Sequence, residues 1–267
     1  MPMLESARYE IFHIVRNKKG FEHELQWDFT GPLPDGMPKC DVIIHLAAHV
    51  DFGLNFNIEQ YNVNTVSTFR LSAYAKAHSV YFILASTVGI HGSKYAQINK
   101  DTPIVPENHY AESKYLAEQA VQTVVDDSCI LRISGIYGLN GPEHLGLNRA
   151  ISEAFYHQKP PLLIGHGKGR RNYICVLDAA RWFLNLIMQR AECKESTKKD
   201  RGDKILYLAG TEVLTIEEYL KTIVDVLLPG RALVRIEGQD GNDSIISASS
   251  APFPLIKFRD YLQSMKR

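Results

Sequence analysis

The sequence predicts an α/β fold, a doubly wound parallel sheet with helices on both faces. Two observations lead there. Continuous apolar, β-branched runs at residues 41–46 and 80–84 alternate with segments of helical period, the order expected of βαβ units. Small or polar residues, Ala47-Ala48, Ser86-Thr87 and Ser134-Gly135, follow directly on the predicted strands. In open sheets of this kind ligands gather outside the strand carboxyl ends.

The first strand reads over residues 9–15 and is closed by the basic turn Arg16-Asn17-Lys18-Lys19-Gly20. A short strand over 24–27 ends at Asp28, and a Pro/Gly-rich loop runs to Pro38. Residues 41–46 (Asp-Val-Ile-Ile-His-Leu) suit a parallel strand covered on both faces. Residues 57–77 are helical by pattern, with Val66, Phe69, Ala73 and Ala77 recurring. The next strand lands on Ser86-Thr87, and the helix after it shows Ala117, Ala120, Val121 and Val124 on one face. Residues 129–133 form another buried strand.

Beyond Gly138 the pattern changes. Residues 147–157 read as a helix stopped by Pro160-Pro161. The glycine run Gly165-His166-Gly167-Lys168-Gly169 has no helix directly after it, so it predicts a mobile hairpin or lid turn rather than a phosphate loop. Residues 172–177 are strand-like, and Asp178 is expected to cap the helix that follows. A further strand covers 204–209, and Thr215-Ile216-Glu217-Glu218 fits a capping box. The expected division is a sheet domain over 1–138, with 172–210 returning to it, and a small C-terminal lobe from 139–171 and 211–267.

Composition narrows the function. Lys plus Arg equals Asp plus Glu at 30 each, and there is no long basic run. That argues against nucleic-acid and membrane-surface partners, which require an electrostatic footprint. The four cysteines, Cys40, Cys129, Cys175 and Cys193, show no C-x-x-C pairing, so neither a disulfide framework nor a zinc knuckle is expected. His45 and His49 are four apart, but the first lies in a strand, and no metal site is expected. Met1 to Ser6 lacks the regions of a signal peptide, and no apolar run reaches the ~18 residues of a membrane span. The expectation is a cytoplasmic protein.

Tyr110 and Lys114 supply the chemistry. Four apart on a helix, they share a face, so the ammonium can sit beside the phenol and favour the phenolate. With a hydroxyl from Thr87 to hold a substrate oxygen, the trio reads as acid/base machinery for carbonyl and alcohol chemistry.

An ordered set of residues now carries a family resemblance. His45-Leu46-Ala47-Ala48, Asn64, Ser86-Thr87, Tyr110-x-x-x-Lys114, Leu131-Arg132 with Tyr137-Gly138, and the run from Arg171 to Asp178 occur in sequence. Together they resemble an extended short-chain dehydrogenase/reductase of the NAD-dependent epimerase/dehydratase family, from residue 9 to about 228. The resemblance implies a Rossmann-like dinucleotide-binding domain and a substrate-binding lobe. It implies an NAD(P)-dependent oxidoreductase or epimerase acting on a nucleotide sugar, with a homodimer as the expected assembly. Tyr110 would be the acid/base, Lys114 would lower its pKa and bind the nicotinamide ribose, and Thr87 would orient the substrate oxygen beside Ser86. Asp28 would contact the adenine, Leu46, Ala47 and Ala48 would line the cofactor path, and Ile133 and Ser134 would flank the nicotinamide. Arg171 falls where relatives hold the substrate's nucleotide phosphates. Arg16 with its neighbours would suit a 2′-phosphate, favouring NADP over NAD, although a solvated turn explains the same charges.

Two departures sharpen the reading. Relatives open with a strand and a Gly-x-x-Gly-x-x-Gly turn that cradles the pyrophosphate, whereas the first glycine here is Gly20. The sequence thus reads as N-terminally truncated, with residues 3–7 as the tail of the first helix. A non-catalytic dinucleotide-binding protein, or an inactive truncated fragment, is therefore the alternative. Dehydratase relatives follow the Thr with Asp-Glu, but Thr87 precedes Val88-Gly89, which disfavours water elimination and leaves reductase and epimerase open.

Overall fold

A computed structural model describes residues 9–195 and 204–266. Residues 3–7, expected as the tail of a first helix, lie outside the described residues. The chain divides into two compact units: Met1–Gly92, Ile104–Arg132 and Phe183–Leu206 in the first, and Ser93–Pro103, Ile133–Trp182 and Tyr207–Arg267 in the second.

In the first unit, β1 (His13–Val15) pairs in parallel with β2 (Glu24–Gln26). Then β3 (Val42–His45) pairs in parallel with β4 (Tyr81–Thr87), Val42 opposite Tyr81 and His45 opposite Leu84. A sheet of four strands runs in the order β11 (Ile205–Leu208), β6 (Ser128–Ile133), β4, β3. The mixed α/β architecture with parallel strands is the one the sequence predicts. Phe82, Ile83 and Leu84 are fully buried, which is why the run in β4 is apolar without alternation. Each such side chain contributes on the order of 2 kcal/mol by leaving water.

The segment predicted as one helix has three parts: α1 (Ile58–Tyr61), a π-helical turn (Asn62–Val66) and α2 (Ser67–His78). Asn57 caps α1, its side chain accepting from the Glu59 N–H at 3.0 Å. Ser79, left-handed at φ 55°, ends α2. Helix α3 (His109–Val124) starts at Asn108, whose side chain accepts from the Ala111 N–H at 2.8 Å. It packs on α2 and β4, so that Ala117 and Val121 join Leu71, Ala75, Phe82 and Ile130 in one apolar cluster.

The second unit has its own core. Helices α4 (Gly146–His157), α6 (Ile216–Leu227) and α7 (Phe258–Ser264) gather Ile151, Ala154, Ile223, Leu262 and Phe258 around Tyr137 and Tyr219. The capping box at α6 forms as the sequence predicts: Thr215 Oγ1 accepts from the Glu218 N–H, and Glu218 accepts from the Thr215 N–H at 2.7 Å.

Two local expectations are corrected. The glycine run does not close a hairpin, because β8 (Leu162–Ile164) pairs in parallel with β13 (Val234–Ile236), and β9 (Arg170–Arg171) pairs antiparallel with β12 (Leu214–Thr215). Asp178 is not a cap. The helix α5 (Val176–Glu195) begins two residues earlier, and the buried carboxylate instead accepts from the Ile256 N–H at 2.7 Å and from Arg181 at 3.1 Å. Among the described residues no helix is long and apolar enough to cross a membrane, no cluster of three metal-ligating side chains occurs, and Cys40, Cys129 and Cys175 are free thiols.

Candidate active site

The site is built in the first unit where β4 ends and α3 begins. Thr87 is the last residue of β4, and its side-chain oxygen accepts from the Gly89 N–H at 3.0 Å. Accepting that bond leaves the hydroxyl proton available to a further acceptor. Tyr110 is the second residue of α3 and Lys114 lies one turn on. The Phe52 ring stands edge-on to Tyr110, centroids 5.3 Å apart, while remaining half exposed itself.

Backbone-anchored hydrogen bonds fix the start of α3. Ser113 Oγ donates to the Tyr110 carbonyl at 2.8 Å and receives the Asn64 side-chain amide at 2.9 Å. Asn64, fully buried within the π turn, also accepts from the His49 N–H at 2.8 Å and donates to the His49 carbonyl at 2.9 Å. Such one-residue widenings of a helix recur at functional sites. Here it aims one amide at two neighbouring segments.

Burial dominates the electrostatics. It pushes the Tyr110 phenol up, the direction opposite to that expected from the ammonium alone. Lys114 is 3% exposed. Burial brings its pKa down to about 8, and Glu118 acts in the other direction. An ammonium has three donors and no acceptor, and Lys114 stands one turn from Tyr110 on the same helix. His45, at the end of β3, lies 3.0 Å from Thr68 Oγ1, and burial followed by Lys114 lowers its pKa to about 3, so it is neutral.

The remaining predicted residues fall in several places. Leu46 and Ala48 are exposed directly after β3, with Ala47 half-buried between them. Ser86 Oγ, at the buried end of β4, donates to Glu118 Oε1 at 2.5 Å. Asp28 closes its own turn: it accepts from the N–H groups of Thr30 and Gly31 and from Thr30 Oγ1. The Gly31 and Thr30 bonds hold its carboxyl down at about 2. Arg16 is engaged by Glu59 at 3.0 Å. In the second unit, Ile133 is buried, and Ser134 donates from Oγ to the Asn172 carbonyl at 3.1 Å and from N–H to the Leu208 carbonyl at 2.9 Å. Arg171, half-buried, donates to the carbonyls of Arg170 and Asn242.

Sequence reasoning missed two features. Glu118 and Arg132 form a buried ion pair at 2.8 Å; the spacing of Glu118, one turn beyond Lys114 among buried Ala117 and Val121, was the available signal. The second unit holds a cavity of about 230 Å³ lined by Leu147, Ala150, Leu162, Ile164, Tyr173 and Tyr219. No local pattern marks it, since its walls come from three separate elements and the loop residue Tyr173.

Parallel strands, connecting helices and residues collected at strand carboxyl ends define a Rossmann-like α/β protein. Within that class the chain belongs to the NAD dependent epimerase/dehydratase family, whose model matches residues 3–198. The dTDP-D-glucose 4,6-dehydratase of Homo sapiens is 30% identical over 197 residues, covering 71% of this chain and 53% of that protein. The Mus musculus protein of the same name is 28% identical over 198 residues, 71% of this chain and 52% of its own length. The chain thus spans about half the length of these relatives. Among solved structures, a putative epimerase from Burkholderia cenocepacia superposes with a TM-score of 0.78 at 18% identity, over 99% of this chain and 91% of the other. The UDP-glucuronic acid 4-epimerase of Bacillus cereus, in complex with NAD, gives 0.68 at 21% identity, over 84% and 72% of the two chains.

Proposed function

We propose that the protein is an NAD(P)-dependent epimerase or reductase of a nucleotide sugar, with Tyr110, Lys114 and Thr87 as its catalytic residues. The observation that carries this is the burial of the Lys114 side chain one turn from Tyr110 on the same helix. Donors so placed fit the hydroxyls of a nicotinamide ribose, and the short side chains of Ala47 and Ala48 after β3 fit close approach of a dinucleotide. A bound dinucleotide would supply hydride exchange at its nicotinamide. Tyr110 would take or return the proton of the substrate hydroxyl, and Thr87 would orient that oxygen. Lys114 would offset the burial that opposes ionisation of the phenol.

The wider reading follows from the same residues. Leu46, Ser86, Ile133 and Ser134 would complete the cofactor path and Asp28 would meet the adenine. Arg171 and the 230 Å³ cavity would take the nucleotide end of the substrate. NAD complexes among the structural neighbours, together with the Arg16–Glu59 ion pair, favour NAD over the NADP expected from the basic turn. The pair Val88-Gly89 after Thr87 disfavours a dehydratase, in contrast to the names of the sequence relatives. Exposed Phe69 on α2 and Leu116 on α3 support a homodimer through those helices, in the cytoplasm. Turnover of UDP-glucuronic acid and of dTDP-glucose with NAD, compared between the parent and Tyr110→Phe, tests the assignment; equal rates overturn it.

A further inference from the structure

The carboxylate of Glu118 is completely buried and meets three donors from two strands. Ser86 Oγ at the end of β4 reaches Oε1, while the Arg132 guanidinium from β6 reaches Oε1 at 3.3 Å through Nε and Oε2 at 2.8 Å through its terminal nitrogen. Glu118 therefore ties α3 to the strand end that presents Thr87 and to the neighbouring strand. The same side chain stands one turn beyond Lys114, on the buried face they share.

We infer that Glu118 is a positioning residue for the Tyr110–Lys114 pair, fastening their helix to β4 and β6 and keeping the buried Lys114 charged. This rests on the acid/base reading above and deepens it.

The groups around Lys114 leave that task to Glu118. From β3 comes His45, buried and neutral. On α3 itself Tyr110, one turn before Lys114, is held neutral by burial, which pushes its phenol up. Arg132 on β6 is a cation held by Glu118. Burial draws the Lys114 pKa down, and Glu118 is the charge that opposes it. Replacing the carboxylate by an amide would leave two buried cations with no anion between them. A guanidinium keeps its proton under all such conditions, so the lysine must give way.

The test is Glu118→Gln in the full chain, with the titration of Lys114 followed by NMR of lysine labelled with 13C at Cε. The Lys114 signal is identified by its loss in Lys114→Met. Its midpoint is expected to fall by about one pH unit or more, the size of shift a close opposite charge produces. The alkaline limb of NAD binding, measured by calorimetry, is expected to move with it. An unmoved Lys114 midpoint, with only a lower melting temperature, overturns the inference. If Glu118→Gln does not fold, the double variant Glu118→Gln/Arg132→Met removes the stranded cation, and the same two outcomes decide. Turnover of Tyr110→Phe separates the claims: an undiminished rate overturns the acid/base reading, whereas an unmoved lysine midpoint overturns the role of Glu118.

Discussion

Asn64 and Ser113 share a buried hydrogen bond of 2.9 Å, and through it the π turn holds the helix start that carries Tyr110. The bond joins positions 49 residues apart in the chain. It makes the placement of the tyrosine depend on an amide that never touches the reacting atoms.

Asn64→Ala should therefore leave the half-buried N–H and carbonyl of His49 without their partner and remove the donor to Ser113 Oγ, which keeps only its bond to the Tyr110 carbonyl. The expected loss is about 2–3 kcal/mol in urea unfolding. Turnover should fall further than stability at temperatures where the variant remains folded.

Tyr110→Phe keeps the ring against Phe52 and deletes only the hydroxyl proposed to move the proton. Turnover should drop by roughly 100-fold to 10,000-fold, the usual reach of a positioned acid/base. NAD affinity by calorimetry should stay within about threefold, because no cofactor contact beyond the hydroxyl is removed.

The buried Lys114 predicts a slope of stability with pH. Its folded pKa is about 8 against the usual 10.5, so between those values the unfolded chain binds more protons and stability rises with pH. Below pH 8 the burial cost is present in full, on the order of 3 kcal/mol. Lys114→Met should flatten that rise in denaturation curves taken from pH 7 to 10, and an unchanged slope would remove the lysine as its source.

Asp240 predicts an acid-sensitive strap. Its Oδ1 accepts the N–H groups of His166, Gly167 and Lys168 at 2.8, 2.6 and 3.4 Å. Partial desolvation acts to raise its pKa, but the Gly167, His166 and Lys168 bonds outweigh this and leave it lowered. The attachment is thus complete above the ordinary carboxylate range and lost as pH falls through the lowered value. Hydrogen exchange at the His166 and Gly167 amides should accelerate there beyond the intrinsic rate, and Asp240→Asn should show the fast exchange already at neutral pH.

Freeing Arg16 should change cofactor preference. Glu59→Gln removes its ion pair, and the released guanidinium can meet a 2′-phosphate. NADP affinity relative to NAD should rise several-fold in calorimetric titration; an unchanged ratio would place Arg16 outside the cofactor path.

Strand β4 was legible because burial on both faces writes itself as an unbroken apolar run, whereas Val42–His45, with the same kind of run, lies at the edge of the sheet with its first three residues only half-buried. That Tyr110 and Lys114 stand one turn apart on one helix was legible through their spacing. Other features depend on partners far away in sequence. Leu162–Ile164 takes Val234–Ile236 beside it, and nothing near either strand announces the other, so the glycine run was misread as a hairpin. Glu118 takes its role from Arg132 and Ser86, 14 and 32 residues away in the chain, which no local pattern announces. Asp178 had the residue type of a cap, but Ile256 and Arg181 claim its oxygens inside the helix.

The π turn at Asn62–Val66 carries a consequence for insertions and deletions. One surplus residue puts the helical faces before and after it out of phase by about 100°, the rotation per residue of an α-helix. Deleting a single residue between 62 and 66 other than Asn64 would bring the two faces into step. The helix would become more regular and locally better bonded, while Asn64 would swing away from Ser113 and His49. Here, a shorter and smoother helix is the more damaging one.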